Sequence, residues 1–302
     1  MKAVVLHEYG GPDKLKYEDF ADPIAGEGEI LVKVAAASIN PIDWKLRAGA
    51  LQGMFAVEFP AILGRDVAGV VHEIGEGVTG FEPGDKVFAL TNHTYAQLCV
   101  VKASDAAKVP EGIELVHASA LPLVTLTGEQ LIRVGTGIQQ GQTVLIAGAL
   151  GGVGRSAVRV AKDAGAVVIA GVRRKQLAEA HALGADQVIA LDDEEAMAKL
   201  GFIDAVADAV GGETAEMLIG KVVPGGIFAS VLGPPANAAM HPKIKVVPVR
   251  CVPDPERMVK LAEDVKAKRL EIPIDRMLPL AEAGAGQAAA EKGGIGKVLL
   301  LS

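Results

Sequence analysis

The chain has 302 residues, a formal net charge of −7, 4% aromatic residues and two cysteines. An acidic chain this poor in aromatic rings excludes a general nucleic-acid surface, and Cys99 and Cys251 cannot build a disulfide framework, which points to a reducing compartment, read as the cytoplasm. The length suggests two domains, no apolar run approaches the ~18 residues of a membrane span, and the opening MKAVVLHEYGGP is too short in its apolar run for a signal peptide.

Residues 1–120 read as β-rich. Short apolar or alternating runs recur at Lys2–Leu6, Ile30–Ala36, Val67–Ile74, Asp85–Ala89 and Ala96–Val101. Glycine and proline punctuate them at Gly10-Gly11-Pro12, Gly75–Gly80 and Pro83-Gly84-Asp85, a pattern that suits an irregular antiparallel barrel. Near Ala118 the period changes. Apolar strands at Thr143–Gly148, Val167–Val172, Gln187–Leu191, Ile203–Val210, Ile227–Leu232 and Lys245–Arg250 alternate with helical segments. That alternation predicts an α/β domain with a doubly wound parallel sheet. The short strand Gly296–Leu301 at the tail can return to the first domain. The expected division is 1–120, completed by about 275–302, and 121–274.

Within the second domain, Val144–Ala147 breaks into a glycine-rich turn, followed by the Ala-rich helical segment Arg155–Ala164. Strand, glycine turn and helix in that order seat a dinucleotide pyrophosphate, because the turn admits close backbone approach and the helix start offers free N–H groups. The spacing is Ala149-x-Gly151-x-x-Gly154, with alanine where the first glycine of the fingerprint usually stands. An NAD-binding unit would place an acid about 20 residues on, at the end of the next strand. This chain has Arg173, Arg174 and Lys175 there, cations that suit a 2′-phosphate and favour NADP(H). The same three residues would also suit a solvated helix start, and a glycine-rich turn also occurs in other α/β folds.

Motifs along the whole length carry a resemblance. They are SINPIDWKLRAG at 38–49, ILGRDVAGVVHEIGEGV at 62–78, FEPGDKVFAL at 81–90, ALPLVTLTGEQ at 120–130, AGALGGVG at 147–154, DAVGG at 208–212, PGGIFASVLG at 224–233 and GKVLL at 296–300. The chain resembles the medium-chain dehydrogenase/reductase superfamily, in its zinc-free quinone oxidoreductase branch. The resemblance implies a GroES-like barrel domain beside a Rossmann domain that binds NADPH. Asn40 stands where zinc members carry a Cys, and Arg65 where they carry a His; neither is a normal zinc ligand, so no metal is expected. Without a Lewis acid, hydride transfer to a quinone or an α,β-unsaturated carbonyl is the reaction expected. Double-bond reduction of alkenals or enoyl thioesters is the alternative within enzymes, and a non-catalytic NADPH-binding redox sensor the alternative outside them.

The resemblance also nominates residues. Asn40 matches the family's substrate-site asparagine, though Asn before Pro is also a common turn residue. Lys45 matches a lysine of enone-reducing relatives, placed to steady a developing enolate, or is a surface lysine. Tyr95 is read as packing before proton donor. On the cofactor side stand Thr127, the turn residues Ala149, Gly151, Gly152 and Val153, the cations Arg173 and Arg174, the strand-end residues Val210, Ser230 and Leu232, and Lys297 in a closing loop. Relatives often place a tyrosine where this chain has Leu191. Pro248 suits an edge strand, and the resemblance implies a homodimer paired along Lys245–Arg250.

Overall fold

The computed structural model describes residues 1–302. The chain forms two compact units. One comprises Met1–Leu123, Pro253–Lys268 and Ile272–Ser302, and the other Val124–Val252 with Arg269–Glu271. In chain order the elements are β1 (Lys2–Leu6), β2 (Leu15–Asp19), β3 (Glu29–Ser38), α1 (Pro41–Arg47), β4 (Ala61–Ile62), β5 (Asp66–Ile74), β6 (Lys86–Leu90), β7 (Leu98–Lys102), β8 (Ala106–Lys108), α2 (Leu115–Ala118) and α3 (Pro122–Gln130). The second unit continues with β9 (Thr143–Ala147), α4 (Gly152–Asp163), β10 (Val167–Val172), α5 (Leu177–Ala180), β11 (Gln187–Ala190), α6 (Glu194–Lys199), β12 (Ile203–Asp208), α7 (Gly212–Ile219), β13 (Val222–Ser230) and β14 (Lys245–Pro248). Then α8 (Pro255–Lys266), β15 (Ile274–Pro279), α9 (Ala283–Glu291) and β16 (Lys297–Leu301) rejoin the first unit.

The first unit holds a three-stranded sheet, β2-β1-β4, and a seven-stranded sheet, β15-β16-β3-β5-β6-β8, with β7 also pairing β3. Long β3 is the organiser. It runs antiparallel to β5, β7 and β16, so it is buried along nearly its whole length. Its last residue, Ser38, stands opposite Asp66 of β5 and Leu299 of β16. That register brings the chain just past β3, the residue before β5 and the start of β16 together. Val4, Leu6, Ile39, Val298 and Leu300 form one apolar cluster, and Ile30, Val32, Val67, Val87 and Val101 another. Each fully buried side chain of this kind stabilises the unit by about 1.5–3 kcal/mol.

The second unit is a six-stranded parallel sheet in the order β11-β10-β9-β12-β13-β14. Counted from β9 this is 3-2-1-4-5-6, the Rossmann order, as the apolar runs predict. Alternation along β9 serves both faces. Val144 and Ile146 pack with Ala157, Val158 and Ala161 of α4, while Leu145 and Ala147 share a cluster with Ala215, Leu218 and Ile219 of α7. Strand order reverses between β9 and β12, whose carboxyl ends align at Ala147 and Asp208. Ligands of open α/β sheets bind outside the carboxyl ends at such a point.

Candidate active site

The turn from β9 into α4 forms as the glycines require. Gly148 takes a left-handed conformation, φ +76°, and its N–H and that of Ala149 both donate to Gly171 O, at 3.0 and 3.1 Å. Ala149 is fully buried in the core, so a Cβ is welcome at the position where the fingerprint usually has its first glycine. Gly154 is different. A Cβ there would stand 2.2 Å from Gly148 O and 2.6 Å from Ala149 Cα, so only glycine lets α4 lie this close to the turn. Gly151 caps α4 with no side chain on the helix end. The first-turn N–H groups, among them those of Gly152 and Val153, have no partner within the helix. An anion seated there meets N–H donors and the positive end of the helix dipole, so the turn fits a pyrophosphate.

The ends of β12 and β13 are tied by a residue outside the sequence-derived set. Asp208 Oδ1 accepts the N–H groups of Val210 and Gly211 at 2.9 and 3.0 Å. Its Oδ2 accepts the Ser230 hydroxyl at 2.7 Å, and Ser230 Oγ accepts the Leu232 N–H at 3.0 Å. Ser230 is thus a buried brace, while Val210 and Leu232 remain about half exposed, at 45% each, on the rim. The DAVGG motif contained Asp208, but its side-chain contacts depend on the β12–β13 register, which the letters do not show. Thr127 is buried in α3, and α3 is held to α4 where the Ser156 hydroxyl donates to Thr125 O at 2.7 Å.

At the basic end of β10 the three cations differ. Arg174 is held by two acids that follow β11: its N–H donates to Asp192 Oδ1 at 2.6 Å, and its guanidinium pairs with Asp193 at 2.5 Å. Arg173 has only Gln176 Oε1, 3.4 Å from its Nε, and Lys175 has no ion pair; both are exposed. Two cations therefore stand without an ion pair, and the third is anchored.

The first unit assembles a buried polar network where the β3, β5 and β16 register converges. Pro41 begins α1, with Asn40 as the extended residue before it, and the Asn40 N–H donates to Asp43 Oδ2 at 2.8 Å. Asn40 Nδ2 donates to Asp66 Oδ2 at 2.8 Å and to Ser38 O at 3.3 Å. Asn40 Oδ1 accepts Lys297 Nζ at 2.7 Å. Lys297 also donates to Ile39 O at 3.1 Å and lies 3.5 Å from Asp66 Oδ2. Asp66 further accepts the Ser38 hydroxyl at 2.5 Å and the Leu123 N–H at 2.7 Å.

Two sequence-derived roles meet a different geometry here. Lys297, expected at the cofactor, is buried, and its three donors all have partners within the first unit. The antiparallel register of β16 on β3 puts it there. Asn40, expected to offer its amide to an acceptor, is fully buried with both amide hydrogens engaged. Lys45, one turn further along α1, is half-buried, and its ammonium has no hydrogen-bond or ion-pair partner. It is the residue of this pair with donors to give.

Tyr95 donates its phenol to Asp43 Oδ2 at 2.7 Å, leaving Asp43 Oδ1 buried and unpartnered. Burial pushes Asp43 up to about 7, against the lowering effect of its bonds from Tyr95 and Asn40. Burial also raises the Tyr95 phenol and lowers Lys297. No group of three or more His, Cys, Asp or Glu side chains is placed to hold a metal ion.

Known proteins resemble this chain in sequence and fold. The family description of an alcohol dehydrogenase GroES-like domain matches residues 26–112, and that of a zinc-binding dehydrogenase matches 183–300. A chloroplastic quinone-oxidoreductase homolog of Spinacia oleracea is 30% identical over 305 residues, covering 93% of this chain and 92% of that protein. The chain belongs to the quinone oxidoreductases of the medium-chain dehydrogenase/reductase superfamily. It is an oxidoreductase. Other members of the superfamily extend the likeness. A chloroplastic NADPH-dependent alkenal/one oxidoreductase of Arabidopsis thaliana is 30% identical over 282 residues, 85% of this chain and 72% of that protein. The solved quinone oxidoreductase of Coxiella burnetii superposes with a TM-score of 0.89 at 29% identity, covering 100% of this chain and 99% of that one. The Escherichia coli quinone oxidoreductase, solved in complex with NADPH, gives 0.88 at 25% identity with 100% coverage of both. No helix of the chain is long and apolar enough to cross a membrane.

Proposed function

We propose that this oxidoreductase uses NADPH to reduce a quinone or an α,β-unsaturated carbonyl, without zinc. The observation that carries the reading is the basic end of β10, the next strand after the glycine-rich turn and α4, where Arg173 and Lys175 stand just past the strand without an ion pair. NADPH supplies the hydride. For an enone, that hydride adds at the β-carbon and a proton from water at the α-carbon, and NADPH becomes NADP+. Lys45 stabilises the negative charge that grows on the acceptor oxygen. Asn40, Lys297 and Asp66 act from inside, fixing the start of α1 and so the place of Lys45. The would-be zinc positions support metal independence: the Asn40 amide oxygen is engaged by Lys297, and the Arg65 guanidinium is no ligand.

Reduction of alkenal double bonds is the second reading, favoured by the alkenal/one oxidoreductase among the relatives. A reducing compartment is the reading supported by the chain's two cysteines, Cys99 buried and Cys251 partly exposed, which form no disulfide. Two copies pair along β14, whose outer edge no other strand of the sheet covers. The test is NADPH oxidation with a naphthoquinone, an enone and an alkenal, each with and without a chelator. Oxidation with the quinone or the enone, untouched by the chelator, supports the reading. NADPH binding with no acceptor-dependent oxidation would leave the redox-sensor alternative standing.

A further inference from the structure

The first unit contains a cavity of about 320 Å³, large enough for a small ligand, and its walls include Arg65, Thr91, Asn92, His93, Lys102 and Asp105. Arg65 is half-buried and its guanidinium makes neither hydrogen bond nor ion pair; its Nε is wholly buried without a partner. With no acid paired to it, the part of the guanidinium that reaches the cavity keeps its charge and its donors for an anion that enters. Two acids also line the cavity, but they are otherwise engaged. Glu29 Oε2 accepts the Gly26 N–H at 3.0 Å, and Asp105 Oδ1 accepts the Ser104 hydroxyl at 3.1 Å. Lys102 is a second cation on the wall without an ion pair. His93 is held in the left-handed region, φ 62°, an unusual place for a non-glycine residue, with Nδ1 at 2.9 Å from Ile62 O.

The cavity shares its chain segments with the buried network. Arg65 immediately precedes Asp66, which holds the Asn40 amide, and Thr91–His93 lead into Thr94 and Tyr95, whose phenol meets Asp43. A planar guanidinium matches a carboxylate with two parallel hydrogen bonds. Glu29 and Asp105 would repel a phosphate dianion more than a singly charged carboxylate, so the walls favour the smaller charge. We propose that the Arg65 cavity is an anion subsite that takes a carboxylate borne by the acceptor, which makes acidic enones or quinones the preferred substrates. This proposal rests on the reading of the chain as an enone or quinone reductase.

The test compares trans-3-benzoylacrylate with its methyl ester, which share one enone and differ in charge. In Arg65→Gln, kcat/KM for the acid should fall at least tenfold further than for the ester. Arg65→Lys, which keeps the charge but not the fork, should recover part of that loss. Equal factors for acid and ester in both variants would overturn the subsite while leaving the reductase reading intact. Should Arg65→Gln fail to fold, Arg65→Lys carries the comparison, with the acid again losing more than the ester. If the unmodified protein reduces neither compound, calorimetric titration with the saturated, unreactive 3-benzoylpropionate decides. Binding that weakens at least tenfold in the Arg65 variants supports the subsite although the reductase reading has failed; no binding, or binding indifferent to Arg65, ends the proposal.

Discussion

Arg173, Arg174 and Lys175 are equivalent as letters and unequal as charges. NADPH should bind more tightly than NADH by on the order of 2 kcal/mol, the scale of charge-assisted hydrogen bonds. Arg173→Ala and Lys175→Ala should each remove a share of that preference. Arg174→Ala should remove less, because Asp193 already holds its guanidinium. Titration of each variant with both cofactors checks the order, and Arg174→Ala as the most damaging change would contradict it. Asp43 gives a second expectation. Its folded pKa of about 7 lies above the ordinary carboxylate range, so between pH 4 and 7 the folded state holds a proton that the unfolded state has lost. Its contribution is therefore full at low pH and is lost as pH rises through 7. The unfolding free energy of the unmodified protein, relative to Asp43→Asn and read from denaturant titration, should fall between pH 5 and 7.5 by on the order of 2–3 kcal/mol. A constant difference would show Asp43 ionised throughout. At this scale the sequence marked the segments but not the partners of the residues within them. Asp192 and Asp193 sit after the β11 run in plain view, yet nothing in their spacing says that they take Arg174.

Among elements, the β9–α4 junction depends most on one residue. Gly154→Ala would drive a methyl into the backbone at Gly148 and Ala149, which cannot yield as a flexible side chain would. Loss of about 2 kcal/mol or more of stability and weakened NADPH binding should follow, read from thermal unfolding and cofactor titration. A variant with unchanged melting would mean that α4 can shift outward freely. The central strands β9 and β10 of the second unit were legible because each is a continuous apolar run, buried on both faces of a parallel sheet. Those of the first unit were legible only in part. β2 reads Leu-Lys-Tyr-Glu-Asp and β15 reads Ile-Asp-Arg-Met-Leu-Pro, exposed strands at the margins of their sheets whose charges resemble a loop.

For the whole molecule, sedimentation equilibrium should give twice the 31.1 kDa of one chain; a single-chain mass would remove the pairing along β14. The order of motifs made the fold class legible from end to end. What stayed hidden was any contact that depends on how distant strands register, and the bond between Asn40 and Lys297, 257 positions apart, is the extreme case. That bond also has a consequence in time. A ribosome adding ~5–20 residues per second needs on the order of ten seconds to a minute to travel from one partner to the other. Meanwhile Val124–Val252 emerges as one nearly complete sheet. The unit that begins first is therefore finished last. Until β16 leaves the ribosome, Asn40 lacks its lysine and Ala36–Ser38 of β3 lack a neighbour on one side, so the nascent chain passes through a stage in which its Rossmann half can be mature while its older half still waits for its final strand.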